Sequence, residues 1–328
     1  LPSHVCKDLP KWVDEVVKHT VVEEPDDRWT DDEFIDYITK SVQKEQKATP
    51  TTVTPIDDKV YYLKDMKTGL LVTPELTLHE QLGKGGFGKV FAAHHDIQNK
   101  DYAIKIFERG SNVENAINEF KALNALDHPN IVKFVWNGRT SQGLFYTCME
   151  LLKGENLQNY VEGDLRLPVD EVYNMATQIL SALVYMQGKV PPVFHRDIKP
   201  SNIMWDRKNT FKLIDFNISS TTEDKSFAGT WPYMAPDLIM SSNKIDWDCS
   251  ADTFALGITI YQLFTHAYPW SGGNHRPKIN QQPTDIRKYN DKLSDKMADF
   301  VMKSIITDRA KRFTSAQEML DALKEIGK

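Results

Sequence analysis

The chain has 328 residues, a net charge of −6 and a composition that is 41% hydrophobic and 26% charged. These values are ordinary for a folded protein and exclude a collagen-like or wholly disordered chain. The negative net charge argues against a general nucleic-acid binder. The best apolar run, 255–264, is far shorter than the ~18 residues that a membrane span needs.

The three cysteines lie far apart, at Cys6, Cys148 and Cys249, and form no CxxC pair. This spacing predicts neither a disulfide framework nor a zinc site. It favours a reducing compartment, and we therefore expect a cytoplasmic location.

The acidic charge is concentrated at the N-terminus. Residues 1–75 contain 10 Lys and Arg against 16 Asp and Glu, whereas the remaining residues are neutral overall. We therefore expect two parts, an N-terminal extension over residues 1–75 and a main domain over residues 76–328.

The extension carries its own structural signals. Residues 30–33 (Thr-Asp-Asp-Glu) form a capping box before a helical stripe over 34–42, and residues 12–17 make a shorter amphipathic patch. Residues 47–55 are typical of an exposed linker, and residues 59–73 indicate a hairpin around a turn. Two interpretations stay open. In the first, these segments pack on the main domain and have only a structural role. In the second, they form a module that contacts a partner or regulates the chain in cis.

In the main domain, strand patterns come first and helix patterns follow. The expected strands are at 78–82, 89–94 and 102–107, followed by a helix at 112–126 and two further strands up to Met149. The expected later helices are at 169–187, 250–265, 292–305 and 314–326. A small strand-rich lobe before a larger helical lobe is an α+β arrangement.

A glycine-rich segment begins at Gly83 and reads Gly-Lys-Gly-Gly-Phe-Gly-Lys-Val, with Gly85 and Gly88 at the other fixed positions of GxGxxG. It also matches the GxxxxGK of a nucleotide P-loop, but Val90 stands where Ser or Thr must bind magnesium. P-loop and dinucleotide fingerprints both require a helix next, whereas this sequence predicts a strand. A plain glycine hairpin and a turn that lets backbone amides approach a phosphate remain open.

Further motifs follow in a fixed order. They are Tyr-Ala-Ile-Lys at 102–105, His-Arg-Asp-Ile-Lys-Pro-Ser-Asn at 195–202, Asp-Phe-Asn at 215–217, Gly-Thr-Trp-Pro-Tyr-Met-Ala-Pro-Asp at 229–237, Asp252 to Gly257, and Arg-Phe at 312–313. In this order and spacing they resemble the protein kinase family over about residues 78–326. Segments at 269–270, 283–287 and 312–319 resemble the eukaryotic-like kinases of bacteria.

The resemblance implies a bilobal fold. The N-lobe, residues 76–150, is expected to hold a small antiparallel β-sheet with one main helix. The C-lobe, residues 151–328, is expected to be larger and helical.

ATP and Mg²⁺ are the cofactors that the resemblance implies. Lys105 would pair with the α- and β-phosphates, and Glu119 would orient that lysine. Glu114 is the alternative carboxylate, although its spacing to the following His-Pro pair is poorer. Asn202 and Asp215 would supply hard oxygen ligands to Mg²⁺.

Catalysis is assigned by resemblance to the loop at 195–202. Asp197 would orient the substrate hydroxyl and accept its proton. Lys199 would steady the γ-phosphate and, with the pair at 229–230, favours Ser and Thr over Tyr substrates. His195 would be structural, stacking with Phe216, and the same apolar spine would include Leu123 and Phe134.

Adenine is expected between the lobes. By resemblance its contacts are Met149, Glu150 and Leu152 of the hinge, Val90 and Ala103 above the ring, and Met204 below it. Asn156 has two open interpretations, a ribose contact and a helix cap.

Regulation of the activity is expected in the segment before Asp237. Arg196 marks kinases that are controlled by activation-loop phosphorylation, and Ser226 matches the usual position of the activating phosphate. Thr230 belongs to the same regulatory segment. The alternative for Ser226 is an unmodified polar loop.

Two residues depart from the family pattern. Asn217 replaces the glycine of DFG. Because Asn is less free in its backbone conformation than Gly, we expect this residue to restrict the in/out conformational change of the loop without removing a metal ligand. Asp237 replaces a Glu that normally pairs with the late arginine, here Arg312, and the shorter side chain predicts a looser pair.

These features predict a Mg·ATP-dependent Ser/Thr protein kinase with protein substrates and activation-loop autophosphorylation. The alternative is a pseudokinase or nucleotide-gated scaffold that binds a partner through residues 1–75. A third candidate, an ATPase or small-molecule kinase, is disfavoured by the peptide-platform segment at 229–237.

Overall fold

The computed structural model describes residues 12–20, 29–30, 33–38, 40–41, 63–85, 88–108, 117, 120, 123–216, 230–240, 248–272 and 274–327. The chain divides into two compact units, Leu1–Val60 and Tyr61–Lys328. This division lies before the boundary that sequence analysis placed after residue 75, because a strand within residues 63–75 pairs with the sheet of the second unit.

The first unit contains helix α1 (Trp12–Thr20) and helical residues at 33–38 and 40–41. The predicted capping box is confirmed, because Thr30 donates its N–H and its hydroxyl to Glu33 Oε2, each at 2.9 Å. The N–H of Thr30 is the main reason that the pKa of Glu33 is lowered. Trp29 stacks on His19 with ring centroids 4.4 Å apart. The predicted linker at 47–55 and the end of the stripe at Val42 lie outside the described residues.

The N-lobe of the second unit is one antiparallel sheet. Its strands are β1 (Leu71–Thr73), β2 (Leu76–Gly85), β3 (Gly88–His95), β4 (Lys100–Phe107), β5 (Phe134–Arg139) and β6 (Phe145–Glu150). They lie in the order β1-β2-β3-β4-β6-β5. The predicted strands are therefore confirmed, with ends that differ by a few residues.

The predicted hairpin at 59–73 is confirmed at its second strand and is wrong at Leu63. Residues 59–62 lie outside the described residues, and Leu63 begins a short 3₁₀ helix, Leu63–Asp65. Strand β1 pairs with the following strand, β2. Leu63 and Met66 are both buried under the sheet, and their spacing of three suits a helical turn rather than a strand.

The main N-lobe helix, predicted at 112–126, is described only in part. Residues 117, 120, 123 and 124 are helical, and the helix has ended before Leu126. The prediction is confirmed at those four positions.

The C-lobe is mainly helical. Its helices are α2 (Gln158–Glu162), α3 (Val169–Gln187), α4 (Pro236–Met240), α5 (Cys249–Thr265), α6 (Asp295–Ser304) and α7 (Ala316–Ile326). The C-lobe also contains a small sheet of β7 (Glu155–Asn156), β8 (Ile203–Trp205) and β9 (Phe211–Leu213), in the order β7-β8-β9. Helices α6 and α7 begin after their capping residues, Ser294 and Ser315, and therefore two residues or more later than predicted.

Helix α5 forms the centre of the C-lobe, and almost all of its residues are buried. Gly257 allows α6 to pack closely on α5, because a Cβ there would lie 2.7 Å from Ser304 Cβ. Among the described residues no helix combines the length and the apolar character that crossing a membrane requires.

Candidate active site

The glycine-rich segment joins two paired strands. Gly85 lies opposite Gly88 at the ends of β2 and β3, and residues 86–87 between them lie outside the described residues. A strand, not a helix, therefore follows the glycines, as predicted, and this excludes the P-loop and dinucleotide fingerprints.

The structure explains the glycines at positions 83 and 88 in different ways. A Cβ at Gly88 would collide with the backbone carbonyl oxygen of Ile106 in β4, so Gly88 is required for packing. At Gly83, apart from its two chain neighbours, no described residue has an atom within 4 Å of the Cβ position. Packing therefore does not require Gly83, and its open side suits the close approach of a ligand phosphate.

Lys105 and Asp215 meet in the cleft between the lobes. Strand β4 carries Lys105, whose Nζ lies 2.5 Å from Asp215 Oδ1. Asp215 has a left-handed backbone, with φ at +55°. Residues other than glycine seldom adopt this conformation, and those that do are often found at functional sites. Desolvation opposes ionisation of Asp215, but the Lys105 ammonium group outweighs it and lowers the pKa of the carboxyl.

The predicted partner of Lys105, Glu119, lies outside the described residues, as does the alternative Glu114. Whether either carboxylate orients Lys105 therefore stays a prediction.

Asp197 is held in one orientation by three neighbours. Lys199 Nζ and Asn202 Nδ2 donate to its Oδ2 at 2.7 and 3.0 Å. Thr230 donates its N–H and its hydroxyl to Oδ1 at 3.1 and 2.9 Å. Lys199 also donates to Thr230 Oγ1 at 2.8 Å, which closes the arrangement.

The anchoring of Asp197 by Thr230 was not predicted. The sequence motif predicts a regulatory role for Thr230 and a preference for Ser and Thr substrates. The sequence places Thr230 in the Gly-Thr pair of a fixed motif. The spacing of that motif, however, does not indicate which side chain Thr230 contacts.

Asp252 fixes the catalytic loop to the core. Its carboxylate, buried in α5, accepts the N–H of His195 at 2.8 Å and the N–H of Arg196 at 3.0 Å. Arg196 has φ at +68°, so the loop turns through a left-handed residue there. Burial raises the pKa of Asp252. Sequence analysis recorded Asp252 in a motif but did not include it in the site.

His195 is engaged on both ring nitrogens. Nδ1 accepts the N–H of Asp197 at 3.3 Å, and Nε2 lies 3.1 Å from the Ile214 carbonyl oxygen. These partners assign the proton to Nε2 in a neutral ring, in agreement with burial, which lowers the pKa of His195. The ring packs on Phe216 with centroids 4.4 Å apart.

The predicted Mg²⁺ ligands fit the preference of that ion. The backbone links Asn202 to the segment leading to Asp215, because the carbonyl oxygen of Asn202 accepts the N–H of Ile214 at 3.0 Å. Asn202 Nδ2 donates to Asp197, which orients the amide oxygen away from that carboxylate. One amide and one carboxylate suit a Mg²⁺ ion that keeps waters and phosphates as its other ligands. Within the described ranges no group of three or more His, Cys, Asp or Glu could hold a metal.

The predicted adenine contacts lie around one apolar cluster. Ala103 and Met149, which lie opposite each other across β4 and β6, belong to this cluster, and Val90 and Leu152 pack against it. Leu152 also lines, with Met204, a cavity of about 330 Å³ beside the hinge.

Glu150 has a structural role at the start of the hinge. Its Oε1 accepts the N–H of Lys133 at 2.8 Å and lies 2.6 Å from Lys212 Nζ. The side chain thereby connects the end of β6 to both lobes.

Asn156 forms an Asx turn directly before α2, because its Oδ1 accepts the N–H of Gln158, two residues on, at 3.1 Å. The N-cap position of α2 is occupied by Leu157. Neither the helix cap nor the ribose contact is thereby confirmed, and both stay predictions.

The Asp237–Arg312 pair is formed despite the shorter carboxylate. Asp237 Oδ2 accepts a hydrogen bond from Arg312 Nη2 at 2.9 Å, and Oδ1 lies 2.8 Å from Nη1. The second contact is close without hydrogen-bond alignment. The Arg312 side chain is fully buried. The other departure, Asn217, and the predicted phosphorylation site, Ser226, lie outside the described residues.

The protein kinase domain family matches residues 76–323, and the chain belongs to this family. It is 26% identical over 269 residues to the serine/threonine-protein kinase PrkC of Bacillus subtilis, covering 77% of this chain and 41% of PrkC. It is 29% identical over 245 residues to the serine/threonine-protein kinase SIK1 of Mus musculus, covering 72% of this chain and 31% of SIK1. The chain thus spans less than half the length of these two relatives.

A solved structure gives the same fold. The PknI kinase domain of Mycobacterium tuberculosis superposes with a TM-score of 0.61 at 24% identity, covering 79% of this chain and 99% of that domain. The predicted bilobal fold and the resemblance to protein kinases, those of bacteria included, are confirmed.

Proposed function

We propose that the protein transfers the γ-phosphate of Mg·ATP to Ser and Thr hydroxyl groups of proteins, including its own activation segment. The observation that carries the proposal is the fixed carboxylate of Asp197, held by Lys199, Asn202 and Thr230. Such a pre-oriented carboxylate suits the alignment of an attacking hydroxyl group.

In this proposal Asp197 aligns the acceptor hydroxyl and takes its proton as the bond to phosphorus forms. Lys199, 2.7 Å from Asp197 Oδ2, places a positive charge beside the same position. The positive charge stabilises negative charge that develops on the transferred phosphoryl group.

Lys105, Asn202 and Asp215 form the nucleotide side of the site. Bound Mg·ATP supplies the phosphoryl group and the neutralising metal charge. Lys105 holds the phosphates, and its ion pair with Asp215 at 2.5 Å keeps the ammonium group inside the cleft beforehand. Asn202 and Asp215 are the oxygen ligands proposed for the metal.

Control by phosphorylation is part of the proposal. Arg196, half-buried beside Asp197, would pair with a phosphate on Ser226 and order the segment that ends at Thr230. Ser226→Ala is then expected to lower activity on protein substrates, and unchanged activity would reject this part alone.

The alternative is a pseudokinase or scaffold that uses residues 1–75 to bind a partner. The residues proposed for phosphate transfer are all present, which argues against a pseudokinase that has lost this activity. They are Lys105, Asp197, Asn202 and Asp215. A docking role for the extension is compatible with either function, and Ile35 is its most exposed large apolar side chain among the described residues, at 60%.

Transfer of labelled γ-phosphate from ATP to a generic protein substrate tests the function. We expect labelled phosphoserine or phosphothreonine, its loss in Asp197→Asn, and retention in the control Asp291→Asn on the surface. Release of free phosphate without labelled protein would indicate an ATPase instead. Tight ATP binding with no transfer at all would indicate the scaffold.

A further inference from the structure

A tryptophan and an arginine stack beside the catalytic loop. Trp231 begins the 3₁₀ helix Trp231–Tyr233, directly after Thr230. The guanidinium carbon of Arg276 lies 4.3 Å from the centroid of the Trp231 ring. Both side chains are exposed, Trp231 to 36%. A guanidinium group on an indole face is a favourable cation–π contact.

A second contact fixes this stack in place. Tyr233, at the other end of the same 3₁₀ helix, meets Tyr268 edge-on with centroids 6.0 Å apart. Tyr268 stacks on His275 at 4.4 Å, and His275 Nδ1 lies 3.0 Å from the Trp270 carbonyl oxygen. Because His275 precedes Arg276, the arginine is braced against the helix that carries Trp231.

Arg276 differs in its surroundings from the paired arginines of the C-lobe. Arg287 is paired with Asp285, Asp295 and Asp299, and Arg312 is paired with Asp237. Arg276 makes no ion pair with any carboxylate in the part of the chain that the structure describes. Residues 266–284 contain Arg276 and Lys278 and no Asp or Glu. Stacking occupies the face of the guanidinium group and leaves its N–H edge for an anion.

The stack lies close to the position of the acceptor hydroxyl. Thr230 donates both its N–H and its hydroxyl to Asp197 Oδ1. Trp231 is the next residue, and consecutive Cα atoms are about 3.8 Å apart. A peptide whose hydroxyl group reaches Asp197 therefore has its neighbouring residues within reach of Trp231 and Arg276.

We propose that Trp231 and Arg276 form a subsite for an acidic side chain, Asp or Glu, within about two residues of the phosphorylated Ser or Thr. The carboxylate accepts hydrogen bonds from the N–H edge of Arg276. The indole of Trp231 already holds the guanidinium plane of Arg276, so the arginine side chain loses less conformational entropy when the peptide binds. This inference rests on the proposed function, since it names the substrate class of the same site.

Peptide binding to the full chain tests the subsite independently of phosphate transfer. The probes are labelled peptides with Ala at the acceptor position and Asp, Asn, Lys or phosphoserine at one of the two positions on either side, and their binding is followed by fluorescence anisotropy. We expect the best Asp peptide to bind about fivefold to tenfold more tightly than its Asn counterpart, as for one charge-assisted contact at a partly exposed site.

The variants are Arg276→Gln, Arg276→Glu and the matched control Lys278→Gln, which removes a positive charge from the same loop. We expect Arg276→Gln to abolish the preference for Asp over Asn, Arg276→Glu to favour a Lys peptide, and Lys278→Gln to keep the wild-type preference. Equal binding of Asp and Asn peptides by the wild type, or a preference that survives in Arg276→Gln, would overturn the proposal. So would tight binding of phosphoserine with no preference for Asp, which would indicate a phosphate-specific site.

The same peptides with Ser at the acceptor position separate this inference from the proposed function. A preference in kcat/KM that resides in KM and disappears in Arg276→Gln supports both. A binding preference without any phosphate transfer supports the subsite and rejects the kinase activity.

Discussion

Asp252 accepts the backbone N–H of His195 at 2.8 Å, and this bond joins the catalytic loop to the most buried helix of the C-lobe. The other carboxylate oxygen accepts the N–H of Arg196, the left-handed residue directly before Asp197. Both oxygens are thus used to hold the backbone that places Asp197. The orientation of the Asp197 carboxylate, which is proposed to be catalytic, therefore depends on a side chain that holds only the backbone of the loop.

Asp252→Asn tests this dependence. Asn keeps one acceptor and turns an amide NH₂ towards the second N–H, so one buried donor is left unsatisfied. We expect the free energy of unfolding to fall by about 1–3 kcal/mol, with a loss in kcat larger than any change in KM for ATP. Chemical denaturation and steady-state kinetics measure the two effects. Asp248→Asn, at the N-cap of the same helix, is the control and should lose at most about 1 kcal/mol, because Asn is an equally good cap and the lost ion pair with Arg309 is partly exposed.

Gly83 and Gly88 are expected to respond differently to the same substitution. Gly88→Ala places a Cβ against the Ile106 carbonyl oxygen and should lower the free energy of unfolding by about 1–3 kcal/mol. Gly83→Ala meets open space, so its stability should stay within about 0.5 kcal/mol of wild type while KM for ATP rises. Thermal denaturation and ATP titration distinguish the two outcomes. An unchanged KM for ATP in Gly83→Ala would argue against a phosphate-binding role for that glycine.

The Asp237–Arg312 pair is expected to be necessary for stability. Asp237→Ala leaves the buried guanidinium group of Arg312 without its carboxylate, and we expect a loss of about 3–5 kcal/mol in the free energy of unfolding. Asp237→Glu, which restores the usual family residue, should retain most of the stability. A loss below about 1 kcal/mol in Asp237→Ala, the range of an exposed pair, would contradict this account.

Glu155 is expected to make stability depend on pH in the acid range. Arg207 at 2.7 Å, followed by the Tyr160 hydroxyl at 2.6 Å, lowers the pKa of Glu155 from 4.5 to about 2. Because the folded pKa lies below the unfolded one, the contribution of Glu155 is complete above 4.5 and is lost as pH falls through about 2. The stability difference between wild type and Glu155→Gln should therefore shrink on acidification, as measured by urea denaturation at several pH values. Arg207→Gln should reduce that pH dependence, and a difference that stays constant with pH would contradict the pairing.

Regular patterns made much of the fold predictable. Helix α3 occupies the predicted residues, 169–187, because its buried positions recur with helical spacing. The strands around Gly83 and Lys105 were likewise visible as apolar alternation. The pairing of β1 with β2 was not predicted, because a single segment does not indicate whether its strand pairs with the sequence before it or after it.

The candidate site was predictable to the extent that each proposed step requires one type of residue. Lys105, Asp197, Asn202 and Asp215 were identified from motif spacing, and the structure brings Lys105 to Asp215 and Asn202 to Asp197. The supporting contacts were not predictable in the same way. The bond from Thr230 to Asp197 spans 33 residues, and its existence depends on how two separate segments pack.

The intact mass of the protein after incubation with Mg·ATP tests the central claim most directly, with Asp197→Ala and Asp215→Ala measured in parallel. The account predicts added mass in steps of about 80 Da per phosphate for wild type only, with part of the added phosphate on Ser226. No added mass in wild type, together with no transfer to protein substrates, would contradict a protein kinase that uses Asp197 for phosphate transfer. Equal added mass in wild type and Asp197→Ala would contradict it as well.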